Sequence, residues 1–137
     1  MQIDTNKTIE QLENIKWGKP NDDDSYLIKT CFELRQKPIV DFSIEDLRIM
    51  IGQEIGIDYL IPKALNKLKE NILAEGDFYE GDLLKSVLEI NKNYWLRNND
   101  NYLIFIQLFI ENETILKESD ISDEIKKNWF ELFESLK

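Results

Sequence analysis

A chain of 137 residues, 42% hydrophobic and 32% charged, is long enough to bury one core and too apolar to be a disordered tract. Seventeen Lys and Arg against 27 Asp and Glu leave a formal charge of −10, a field that repels phosphate backbones and anionic lipid and so disfavours nucleic acid and membrane surfaces as partners. The absence of histidine and the single cysteine, Cys31, exclude an imidazole triad, a Glu-x-x-His metal motif, an internal disulfide and a multi-cysteine zinc site.

The first residues, Met1-Gln-Ile-Asp-Thr-Asn-Lys-Thr8, lack a basic segment followed by an apolar one, so no signal peptide is expected. A lone cysteine and no leader together predict a reducing, cytoplasmic setting. Thr8 and Gln11 have capping-box spacing, which predicts a first helix over about 9–16, ended by Gly18 and Pro20. Asp22, Asp23 and Asp24 precede Ser25. Acidic residues there complement the helix dipole, and Asp24 or Ser25 is the natural cap of a second helix reaching about Arg35 before Pro38. Its apolar stripe takes in Leu27, Ile28, Cys31 and Leu34, which makes Cys31 a packing residue rather than a nucleophile.

Ser43 caps a third helix with apolar positions Ile44, Leu47, Met50 and Ile51, ended by Gly52 or Gly56. Asp58 is the expected cap of a fourth helix through Lys69, which either starts near Pro62 or kinks there, because proline lacks an N–H and collides with the preceding turn. Gly81 or Asp82 opens a fifth helix with Leu83, Leu84, Val87 and Leu88. The Asn-rich stretch 91–101 reads as irregular, with Trp95 as a packing anchor and room for one helical turn around it. The run 102–110 fits either a strand or a buried helix. With no obvious partner strand, it is assigned as a buried helix to about residue 117, too short and too interrupted by Gln107 to span a bilayer. Ser122 caps a last helix carrying Ile125, Trp129, Leu132, Phe133 and Leu136. The expectation is an all-α fold of six or seven packed helices in a single domain over 1–137.

The chemical motifs are weak. Asn21-Asp-Asp-Asp-Ser25 has Leu27 where a calcium loop needs glycine, and Gly76 and Gly81 have phosphate-loop spacing with Asp82 and Leu83 in place of Lys and Ser or Thr. Neither a metal nor a cofactor site is expected. A carboxylate pair such as Asp77 and Asp82 suits acid–base hydrolysis, but in so acidic a chain such pairs arise by chance. The most informative segment is Glu75-Gly-Asp-Phe-Tyr-Glu-Gly-Asp82, with four acids, two aromatics, two glycines and no basic residue. Its plain reading is the approach to a helix, Asp82 capping and Phe78 or Tyr79 plugging the core. Its functional reading is an acidic loop with an aromatic anchor for a basic protein.

Leu34-Arg35 with Lys37-Pro38, Glu45-Asp-Leu-Arg-Ile-Met-Ile-Gly-Gln53, Gly56, Tyr59-Leu-Ile-Pro62, Ala64-Leu65 and the 75–84 segment form a long ordered set of words. Over about residues 26–95 the chain resembles the immunity proteins of bacterial contact-dependent growth inhibition systems. It departs at Lys63, Lys67 and Asn71-Ile72. The resemblance implies a small cytoplasmic protein that binds the C-terminal toxin domain of a neighbouring effector and neutralises it; such toxins are frequently nucleases, and a basic one would suit the −10 charge. Words shared among inhibitors of different toxins are expected to hold the fold, so Asp46, Arg48 and Gln53 are read as structural, with Arg48 pairing an acid inside. The candidate toxin contacts are Asp22, Asp23, Asp24, Asp77, Phe78, Tyr79 and Glu80. The rival readings are a carboxylate-dependent hydrolase and a generic acidic helical adaptor.

Overall fold

The computed structural model describes residues 3–137. Regular structure among the described residues is helical throughout: α1 (Ile9–Glu13), α2 (Tyr26–Leu34), α3 (Ile44–Gly52), α4 (Ile57–Glu70), α5 (Asp82–Leu88), α6 (Lys92–Arg97), α7 (Asn99–Glu111), α8 (Glu113–Glu118) and α9 (Asp123–Leu136), with a 3-10 turn at Ile39–Asp41. The all-α expectation holds. Among the described residues nine α-helices stand where six or seven were expected, because α6 forms within 91–101, whose last residues open α7, and the predicted helix over 102–117 breaks at Asn112.

The caps explain the helix starts. Thr8 and Gln11 close a capping box at 3.1 and 2.9 Å, and Ser43 and Asp46 close a second at 3.1 and 3.0 Å. Ser25 rather than Asp24 caps α2, its hydroxyl accepting from the Ile28 N–H at 3.2 Å. Asp58 caps nothing. Helix α4 starts before Pro62, at Ile57 after Gly56, and the proline sits inside it. Burial of Leu60, Ile61, Ala64, Leu65 and Leu68 around the proline offsets the hydrogen bond it cannot make.

Helix α5 is the hub, packing on α3, α4 and α9, and six of its seven residues are buried. Four of those six are apolar, and the two buried polar side chains, Asp82 and Ser86, are hydrogen-bonded to backbone groups. The buried side chains form one cluster running from Ile9 to Phe133. Trp95 is the expected anchor, 4% exposed and stacked on Phe105 at 5.3 Å. Its segment is helical because the Asn91 side chain accepts from the Asn93 N–H at 2.7 Å, so asparagine supplies a cap rather than an irregular loop.

Two burial expectations are corrected. Helix α7 buries Phe105, Leu108 and Phe109 and leaves Leu103, Ile104 and Ile110 exposed, since it is covered on one side only. On α2, Cys31 and Leu34 are buried, whereas Leu27 and Ile28 are exposed on the first turn, which projects beyond the core.

Helix α1 ends early, at a left-handed Asn14. The strand of chain that follows is fastened by Arg35, a side chain only 1% exposed, which donates to the Glu13 carboxylate and the Ile15 carbonyl and lies over the Trp17 ring at 4.3 Å.

Candidate partner-binding site

The loop between α4 and α5 is built on two carboxylates. Asp82 is the first residue of α5 and 3% exposed, and its side chain turns back over the loop instead of capping the helix. Its Oδ1 accepts from the Gly76 N–H at 2.7 Å, and its Oδ2 accepts from the Phe78 and Tyr79 N–H groups at 3.1 and 3.5 Å. From α3, Glu45 Oε1 accepts from the Asp77 N–H at 3.0 Å. A single antiparallel bridge between Glu75 and Glu80 closes the loop.

Arg48 joins the two carboxylates. One turn along α3 from Glu45, its guanidinium donates to both Glu45 oxygens at 2.6 Å and lies 3.8 Å from Asp82 Oδ2. The Phe78 ring stacks over the same guanidinium at 4.3 Å. The expected structural use of Arg48 is thus present, with two acidic partners. Asp46 is structural as well: besides its capping box it takes an ion pair from Lys37 at 2.6 Å. Gln53 is the exposed C-cap of α3.

This arrangement separates the candidate residues. Asp77, Phe78, Tyr79 and Glu80 are held on one loop; Asp77, Phe78 and Glu80 are exposed, and Tyr79 packs against the core as the plug. Phe78 does not plug the core. It is 70% exposed, because its inner face is already covered by Arg48. Asp22, Asp23 and Asp24 form a separate turn before α2, where Asp24 Oδ2 accepts from the Asn21 N–H at 2.7 Å and the Asp22 carbonyl accepts from Lys29 Nζ at 2.7 Å. No hydrogen bond or ion pair among the described residues links that turn to the loop.

The electrostatics do not favour acid–base chemistry. Hydrogen bonds from the Arg48 guanidinium hold the Glu45 carboxyl below its ordinary 4.5, against the opposing effect of burial, with the Asp77 N–H adding to the lowering. A general acid working near neutral pH needs the opposite shift. The Asp82 oxygens are both engaged by backbone N–H groups, so the Asp77 and Asp82 pair presents no free second carboxylate. Burial pushes the Cys31 thiol up, away from the thiolate a nucleophile requires. No three Asp, Glu or Cys side chains among the described residues are grouped to hold a metal ion. No described helix is long and apolar enough to cross a membrane.

The lowered Glu45 value has a pH consequence. A carboxylate whose folded pKa is depressed contributes stability above its unfolded value, and that contribution is lost as pH falls through the folded value. Glu45→Gln is expected to lower stability by about 1–2 kcal/mol at pH 7 and to leave a smaller further loss on acidification below about pH 4.5. Urea midpoints for both proteins from pH 7 to pH 3 check this; parallel curves would refute it.

Sequence reasoning placed Arg48 inside the fold but missed Glu45 as a loop support and the fold-back of Asp82. Glu45 and Arg48 stand at i,i+3, a visible pairing signal. That Glu45 also holds Asp77, 32 residues away, had no local signature.

A family model described as CDI immunity proteins matches residues 11–104, which include both halves of this loop network. No curated protein matches the chain.

Proposed function

The chain belongs to the CDI immunity protein family, and on that premise we propose that it is a single-domain cytoplasmic inhibitor that binds the C-terminal toxin domain of its cognate effector one to one. Inhibition is stoichiometric, without turnover. The family match carries this reading, and the −10 charge supports a basic partner, such as a nuclease whose substrate groove must attract phosphate. The contacts are drawn from the acids and aromatics of two surfaces: Asp22, Asp23 and the half-buried Asp24 before α2, and Asp77, Phe78, Glu80 and the half-buried Tyr79 on the loop. A bound inhibitor of this charge lowers the rate of substrate entry by occupying the groove and reversing its field.

The test is growth of a sensitive host that expresses the toxin domain encoded beside this chain, with and without the chain, followed by calorimetry of the purified pair at 50 and 300 mM salt. Rescue and one-to-one binding are expected, with affinity falling roughly tenfold at the higher salt through screening of the steering charges. A host that dies regardless, together with no heat of binding, would remove the inhibitory role.

A further inference from the structure

Phe78 is the most exposed phenylalanine among the exposed large hydrophobics, at 70%, and yet its placement is fixed from beneath. Its own N–H and those of Gly76 and Tyr79 end on the buried Asp82 carboxylate, the Asp77 N–H ends on Glu45, and the inner face of its ring rests on Arg48. An aromatic side chain held in one orientation in the free protein loses little conformational entropy on binding. Around it stand the exposed Glu75, Asp77 and Glu80, and the 75–82 segment has no basic residue. Beneath it one guanidinium faces two carboxylates, so the support carries net negative charge rather than cancelling the rim.

From this geometry we infer that Phe78 is the central anchor of the toxin interface, inserting into an apolar pocket rimmed by Lys or Arg on a basic toxin domain. The inference rests on the inhibitory reading above and names the partner chemistry for one of its two candidate surfaces. The division of labour follows from position. The buried ring supplies residence time, whereas the rim acids, which remain wet, supply steering and the salt dependence. The competing role for Phe78 is a lid that keeps water from the Arg48, Glu45 and Asp82 network. A lid matters to folding and acid tolerance, not to binding.

The experiment measures association and dissociation of the purified full chain with the toxin domain encoded beside it, at two salt concentrations, together with thermal melts of each variant. Phe78→Ala is expected to weaken binding roughly 30-fold, almost entirely through faster dissociation, with an unchanged salt dependence and melting temperature. Glu75→Gln, Asp77→Asn and Glu80→Gln combined should slow association about tenfold at low salt and flatten the salt dependence, leaving dissociation alone. Ile115→Ala, exposed on α8 and outside the family match, should change neither rate. Phe78→Ala binding within about threefold of the parent overturns the inference while leaving the inhibitory reading intact. So does a loss of binding that tracks a fall in melting temperature and disappears at temperatures where the variant is still folded, which identifies the lid. A parent chain that does not bind the toxin domain overturns both.

Discussion

Gly81→Ala is expected to destabilise the protein by about 3–5 kcal/mol, a large share of the roughly 5–15 kcal/mol by which a typical domain is stable. Gly81 caps the N-terminus of α5 at φ 91°, a left-handed conformation that costs a β-carbon about 1–2 kcal/mol. A β-carbon there would also stand 2.3 Å from Cζ2 and 2.8 Å from Cη2 of Trp129, a fully buried side chain on α9. Neither neighbour can yield. Gly81 opens the helix at the centre of the core, and Trp129 has no exposed face into which to move. Gly18→Ala isolates the backbone contribution, because Gly18 has a similar φ of 77° and nothing within 4 Å of its would-be β-carbon. It should cost only about 1 kcal/mol. Combining Gly81→Ala with Trp129→Leu should cost less than the sum of the two single changes by about 1–3 kcal/mol, since the smaller side chain relieves the collision. Urea denaturation of the four variants measures each of these. A Gly81→Ala protein within 1 kcal/mol of the parent, or strict additivity with Trp129→Leu, would show that the approach of α9 to Gly81 is not tight.

Asp82→Ala is expected to cost about 3 kcal/mol and to free the loop it supports. The substitution leaves three backbone N–H groups without their acceptor and leaves Arg48 with Glu45 alone. Hydrogen bonds to a charged acceptor are the strong kind, and donors left unmade near a core keep their desolvation cost. Asp82→Asn should fall between, at about 1–2 kcal/mol, since the amide oxygen can take the place of Oδ2 and keep the Phe78 and Tyr79 donors while the NH2 group faces the Gly76 N–H. Native-state hydrogen exchange reads the loop directly. The Gly76 and Phe78 amides should exchange markedly faster in Asp82→Ala, with amides of α7 slowed or hastened only in step with global stability. If those two amides keep their protection, Asp82 is not what holds the loop.

The local part of this fold could be read because its signals are local. Thr8, Ser25, Ser43 and Ser122 cap the helices assigned to them, since a cap needs only its own hydroxyl and an N–H three residues on. Trp95 was legible as an anchor from its size and apolarity. The errors fell where several residues compete for one outcome. Pro62 left open whether α4 starts near it or runs through it, and the burial of five neighbouring side chains favoured a helix that runs through. The run 102–110 is apolar apart from Gln107, so its pattern could not say that Phe105, Leu108 and Phe109 would be buried while Leu103, Ile104 and Ile110 stayed exposed.

The loop shows the same division. Composition alone made the 75–82 segment acidic, aromatic and free of basic residues, and the i,i+3 spacing of Glu45 and Arg48 made an internal pair readable. Which aromatic would be buried was not readable: Phe78 and Tyr79 are adjacent, and either suits a core. The structure exposes Phe78 because α3 places a guanidinium under it, and it turns Tyr79 inward. The all-helical class, the helix starts at Thr8, Ser25, Ser43 and Ser122 and the sign of the net charge were thus readable along the chain, each depending on residues within a turn of one another or on a simple sum. Packing alone settled that Glu45 and Asp82 share one loop, and that the glycine capping α5 lies against a tryptophan on α9. Those contacts join residues far apart in the chain, and their energies exist only once packing has brought them together.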